Sequence, residues 1–135
     1  MIILDTEVWV LLMDGSAEIS PSTQKRLEDA ALDGSLFLPV VAVWELAWWE
    51  KSGQIVLNMP CAEWVNRALI APGLSVAEFS PQVAVEGANL PGDFHRDPID
   101  RIIVATARQV NGQVATRDRR ILDYGTAGHV RALPV

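Results

Sequence analysis

Residues 95–118 read His95-Arg96-Asp97-Pro98-Ile99-Asp100-Arg101-Ile102-Ile103-Val104-Ala105-Thr106-Ala107-Arg108-Gln109-Val110-Asn111-Gly112-Gln113-Val114-Ala115-Thr116-Arg117-Asp118. Ile99, Ile102, Ile103, Thr106, Ala107 and Val110 recur at helical spacing, one continuous stripe for burial along a helix from Pro98 to Val110. Arg101 and Arg108 lie off that stripe. Asn111-Gly112 stops the helix, and Gln113–Thr116 follows as a short strand. A helix that runs straight into a strand, again and again, is the pattern of a parallel sheet with crossover connections.

The alternation continues in both directions. Toward the N-terminus, Met1–Leu4 reads as a buried strand and Glu7–Met13 as a helix capped by Asp5 or Thr6. Ser20-Pro21 opens a helix to about Leu32, with Gly34 at its stop, and Leu36–Leu38 is a strand ended by Pro39. Helices are expected over Val41–Lys51 and Pro60–Ala71, a strand over Leu74–Phe79, and a helix from Ser80-Pro81 to Asn89. Beyond the quoted stretch come a helical turn, Arg119–Tyr124, and a last strand, Val130–Leu133. The expected fold is α/β: one domain over residues 1–135, with a central, mostly parallel sheet of about five strands flanked by helices. Such sheets bind ligands beyond the carboxyl ends of their strands. Asp5 and Asp118, each just past a strand, should therefore face one crevice.

Composition narrows the class. The chain has 135 residues, 50% of them hydrophobic and 21% charged, which fits one globular domain and excludes a disordered tail or a fibre. One cysteine, Cys61, and two histidines, His95 and His129, exclude a disulfide framework and a Cys/His zinc site. No apolar run reaches the roughly 20 residues of a membrane span, and Asp5 interrupts the opening apolar run too early for a secretory signal. A cytoplasmic protein is expected. Net charge is −6, yet residues 96–120 hold six arginines against three aspartates, so the acidic body carries one basic segment.

Four carboxylate positions carry chemistry: Asp5 at a strand end, Glu45 among apolar neighbours in Val43-Trp44-Glu45-Leu46, the pair Asp97 and Asp100, and Asp118 at another strand end. Two carboxylates about 4 Å apart repel by roughly 4 kcal/mol at an effective dielectric near 20, so converging acids need protons or a cation. Mg²⁺ or Mn²⁺ takes oxygen ligands and keeps several waters, which suits attack of an activated water on a phosphodiester. Each acid also has a plainer reading. Asp97-Pro98-x-Asp100 is a good helix start, Asp5 a helix cap, Asp118 a turn residue and Glu45 an exposed acid.

Leu4-Asp5-Thr6, Val43-Trp44-Glu45-Leu46-Ala47, His95-Arg96-Asp97-Pro98-Ile99-Asp100-Arg101 and Thr116-Arg117-Asp118 resemble the signature blocks of PIN-domain ribonucleases. They are similar more narrowly to VapC toxins of bacterial type II VapBC toxin–antitoxin modules. The resemblance spans nearly the whole chain in order. It implies a Mg²⁺- or Mn²⁺-dependent endoribonuclease held inactive by a cognate VapB-type antitoxin, and a homodimer. By position Asp5, Glu45, Asp97 and Asp118 would form the catalytic quartet. Asp5, Asp97, Asp100 and Asp118 would be the metal ligands, with Thr6 and Thr116 in support and Arg101 as a basic position beside the site. Ile99 stands where the family usually carries an aromatic or larger apolar residue.

Other residues are read from their own context. Arg117, Arg119 and Arg120 are either a solvated face or a phosphate track for RNA. Of five tryptophans, Trp44 and Trp48 share one face of their helix, which serves either the core or a groove for the antitoxin or a second copy. His95 reads as a neutral loop residue. A competing function is a catalytically silent PIN-like module that regulates through a partner. A receiver-type phosphoacceptor lacks its lysine after a late strand, since Lys25 and Lys51 are both early, and an Asp-x-Asp phosphatase fails at Glu7.

Overall fold

The structure, a computed structural model, describes residues 1–135. Five strands form one sheet in the order β3-β2-β1-β4-β5: β1 Ile2–Leu4, β2 Leu36–Pro39, β3 Leu74–Ala77, β4 Gln113–Thr116 and β5 Arg131–Pro134. Every pairing is parallel. Seven helices connect them: α1 Thr6–Met13, α2 Pro21–Asp33, α3 Val40–Lys51, α4 Cys61–Leu69, α5 Pro81–Ala88, α6 Pro98–Gln109 and α7 Arg119–Thr126. No helix is long and apolar enough to cross a membrane.

The central strand explains the arrangement. Ile2, Ile3 and Leu4 are all buried, the uniform pattern of a strand covered on both faces. Alternation sends Ile2 and Leu4 into a core with Trp9, Leu27, Leu46 and Trp64, supplied by α1 to α4. Ile3 points the other way, into a core with Val83, Ile103, Val104, Ile121 and Tyr124 from α5, α6 and α7. Trp9 is fully buried and meets Trp64 edge-to-face at 5.1 Å, which places two of the five tryptophans in the first core.

The chain runs from β1 to β2 and β3 on one side, then returns to add β4 and β5 on the other. Strand order therefore reverses between β1 and β4, where the following loops diverge and leave a crevice. Register fixes its floor: Leu4 pairs with Ala115, and the Asp5 N–H donates to the Ala115 carbonyl at 3.1 Å.

The expected elements are all present, with shifted ends. β3 stops at Ala77 rather than Phe79, because its only neighbour, β2, runs out at Pro39, the partner of Ala77. α1 begins at Thr6, one residue earlier than read, because the Asp5 carboxylate accepts from the Thr6 N–H at 2.8 Å. Gly34 closes α2 at φ +77°, a left-handed position that glycine occupies without strain.

Candidate active site

Five acids from four places in the chain meet at this crevice. Asp5 follows β1, Glu45 lies mid-way along α3, Asp97 and Asp100 open α6, and Asp118 follows β4 as the cap of α7. Carboxylate oxygens of Glu45, Asp97 and Asp100 lie within 4.8 Å of one another. Asp5 and Asp118 raise the pKa of both Glu45 and Asp100 through their charges, which ties them to the same cluster.

Asp5 is buried and its geometry is fixed. One carboxylate oxygen accepts from the Thr6 N–H, and the other accepts from the Thr116 hydroxyl at 2.6 Å. The Thr116 hydroxyl in turn accepts from the Asp118 N–H at 2.9 Å, so one side chain links both strand-end acids. Thr6 Oγ1 is buried without an aligned hydrogen-bond partner, yet it lies close enough to Glu45 to favour its charged form.

Capping and site-forming roles coincide. Asp97 Oδ1 accepts from the Ile99 N–H at 3.0 Å, and Asp118 Oδ1 accepts from the Arg120 N–H at 2.8 Å. A carboxylate has about four lone-pair positions, so an oxygen that caps a helix still leaves others for the crevice. The positive end of the α7 dipole also favours the ionised form of Asp118.

Electrostatics sorts the group. Burial, then the charges of Asp5, Asp97, Asp118 and Glu45, push Asp100 up to about 7. Burial likewise raises Asp5 and Glu45. Burial opposes ionisation of Asp118 too, but hydrogen bonds and charge from Arg120 outweigh it and hold that carboxyl below the usual range. His95 is lowered by burial and by Arg120; its Nε2 sits 3.2 Å from Asp100 Oδ2, out of line for a hydrogen bond, and its Nδ1 accepts from the Asp97 N–H.

The donor set fits a hard divalent cation. It is all oxygen, carries up to five negative charges at close quarters, and includes the unpartnered Thr6 hydroxyl; neither cysteine nor an aligned imidazole competes.

The arginines divide by what they already hold. Arg101, expected beside the substrate, instead donates to the backbone carbonyls of Gly87, Ala88, Phe94 and His95. With its guanidinium engaged on four carbonyls, it pins the loop that carries Asp97 rather than facing a phosphate. Arg117 lies 3.2 Å from Glu18, and Arg119 lies 3.2 Å from Asp123 in an exposed helical pair. Arg120 reaches into the acids themselves, 3.0 Å from Asp118 and 3.3 Å from Asp100. On α3, Trp44 and Trp48 are 58% and 49% exposed and stack at 5.7 Å, nearly parallel. Trp49 packs partly buried against the first core.

Sequence reading placed Asp100 among the metal ligands, but it missed the burial of that carboxyl and the approach of His95 to it. Both depend on the turn of α6 against the preceding loop. The signal available was the helix stripe: Asp100 falls one residue after Ile99 on the edge of a face that must be buried.

Residues 2–126 match the PIN domain family, and the chain belongs to that family. Ribonuclease VapC22 of Mycobacterium tuberculosis (strain ATCC 25618 / H37Rv) is 28% identical over 123 residues, which cover 91% of this chain and 91% of that protein. The chain is thus a homologue of a VapC ribonuclease. Its fold is similar to VapBC2 from Rickettsia felis bound to a DNA fragment from their promoter, with a TM-score of 0.70 at 16% identity over 99% of this chain and 98% of that one. It is also similar to FitAcB from Neisseria gonorrhoeae, with a TM-score of 0.66 at 23% identity over 98% and 96%.

Proposed function

We propose that this chain is a cytoplasmic endoribonuclease toxin that uses Mg²⁺ or Mn²⁺ to cut RNA and is neutralised by a VapB-type antitoxin. The observation that carries the reading is the convergence of Glu45, Asp97 and Asp100 within 4.8 Å, beside Asp5 and Asp118, at the point where strand order reverses.

Asp5, Asp97, Asp100 and Asp118 would hold the ion, with Glu45 directly or through water. When bound, such an ion supplies an acidified water and a positive charge for in-line displacement at a backbone phosphate. The chain's own groups set the geometry. The Thr6 N–H and the Thr116 hydroxyl hold the Asp5 carboxylate in one orientation, and the Thr116 hydroxyl positions the Asp118 backbone. Arg101 fixes the entry to α6. Arg117 and Arg119, exposed on the rim after β4, would neutralise flanking phosphates.

The stacked Trp44 and Trp48 bracket Glu45 on α3. A partner laid over that exposed pair would dock on the same helix that carries Glu45. The same apolar pair would serve a homodimer contact, and sedimentation of the chain alone separates the two uses.

The test is cleavage of total RNA by the purified chain. Cutting in Mg²⁺ is expected, with none in EDTA or after addition of the cognate antitoxin. Trp48→Ala should cut normally but resist the antitoxin, with affinity down roughly tenfold or more by calorimetry. Absence of cutting in Mg²⁺ and Mn²⁺ alike would favour the silent regulatory module.

A further inference from the structure

Arg120 is the second residue of α7, and its side chain is 58% exposed. Despite access to water, its guanidinium turns inward. Nε lies 3.3 Å from Asp118 Oδ1, and Nη2 lies 3.0 Å from Asp118 Oδ2 and 3.3 Å from Asp100 Oδ2. One cation bridges carboxylates on two separate elements. Local helix pairing does not account for this: Asp123, three residues on, is taken by Arg119. Asp100, by contrast, is far along the chain, with a side chain only 9% exposed.

We propose that Arg120 is a tethered counter-cation that occupies the acid cluster and competes with the divalent ion for Asp100 and Asp118. The inference rests on the metal-site reading given above. The acids cannot all remain ionised beside one another without positive charge, and Arg120 supplies one unit of it from within the chain. A divalent cation supplies two, and needs the same carboxylate lone pairs that the guanidinium holds. Because Arg120 is joined to α7 by a long flexible stem and is half in solvent, it leaves by side-chain rotation alone. The consequence is a raised metal requirement: the ion must displace a resident charge before it completes its ligand set.

The experiment is titration of Mn²⁺ alone, followed by electron paramagnetic resonance, into the full-length parent, Arg120→Gln, Arg120→Lys and Asp97→Asn proteins. Charge-assisted hydrogen bonds at a half-exposed group support an affinity change of roughly tenfold. Arg120→Gln should therefore bind Mn²⁺ about that much more tightly than the parent. Arg120→Lys should fall between, since the ammonium keeps the charge without the fork. Circular dichroism checks folding, and the lysine variant carries the test if the glutamine variant fails to fold. Equal or weaker Mn²⁺ binding by Arg120→Gln overturns the counter-cation and leaves the metal site standing. Mn²⁺ binding that Asp97→Asn does not weaken, or no binding by any of these proteins, overturns the site reading itself.

Discussion

Asp5→Asn is expected to reduce RNA cleavage about a thousandfold, as loss of a preorganised charged group in a metal site does, while the protein folds normally. Asparagine keeps the hydrogen bonds that matter locally. Its side-chain oxygen still accepts from the Thr6 N–H, and its amide donates to Thr116 Oγ1, which reverses from donor to acceptor. Removing a buried negative charge also relieves repulsion from Asp118 and Glu7, so stability in EDTA should hold or rise. What disappears is an anionic oxygen donor of the proposed cation site, at the strand-order switch point. Single-turnover cleavage of a defined RNA in Mg²⁺, paired with thermal denaturation, measures both halves. Parent-like cleavage by the variant contradicts the assignment.

Metal and pH should act on stability in opposite directions. Asp100 is raised to about 7 by burial and by its acidic neighbours, and Asp5 and Glu45 are raised as well. An acid whose folded pKa exceeds its unfolded value binds more protons when folded, so its contribution is complete below the unfolded pKa. That contribution is lost as pH rises through the folded value. In EDTA the melting temperature should therefore fall as pH rises from 5.5, most steeply below 7, and level off toward pH 8, by roughly 5–10 °C in all. Divalent ions need the deprotonated acids, so saturating Mg²⁺ should stabilise little at pH 5.5 and strongly at pH 8. A melting temperature in EDTA that rises across this range would count against a crowded acid cluster.

The element order was legible because each element carries a local signature. Asp97-Pro98 starts α6, the Ile99 to Val110 stripe buries it, and Gly34 ends α2, all from short-range physics. The shared crevice was legible too, since two strand-end acids in a parallel sheet have only one edge to occupy. The use of each charge was not legible. Arg101 and Arg120 look alike in sequence, yet one is spent on carbonyls from residues 87 to 95 and the other on acids from α6 and the α7 cap. Such pairings depend on helix rotation and loop path, which no local pattern encodes. The tryptophans make the same point: Trp9 is fully buried and Trp48 is half-exposed, although both sit in strongly apolar helices.

The central claim is that acids drawn from β1, α3, α6 and the end of β4 form one cation site. Anomalous diffraction from crystals of the full chain grown in Mn²⁺ tests it directly. The account predicts a single strong peak within about 2.0–2.6 Å of carboxylate oxygens, Asp5 and Asp97 among them. A peak held by other residues, or none with Mn²⁺ in excess, would contradict it.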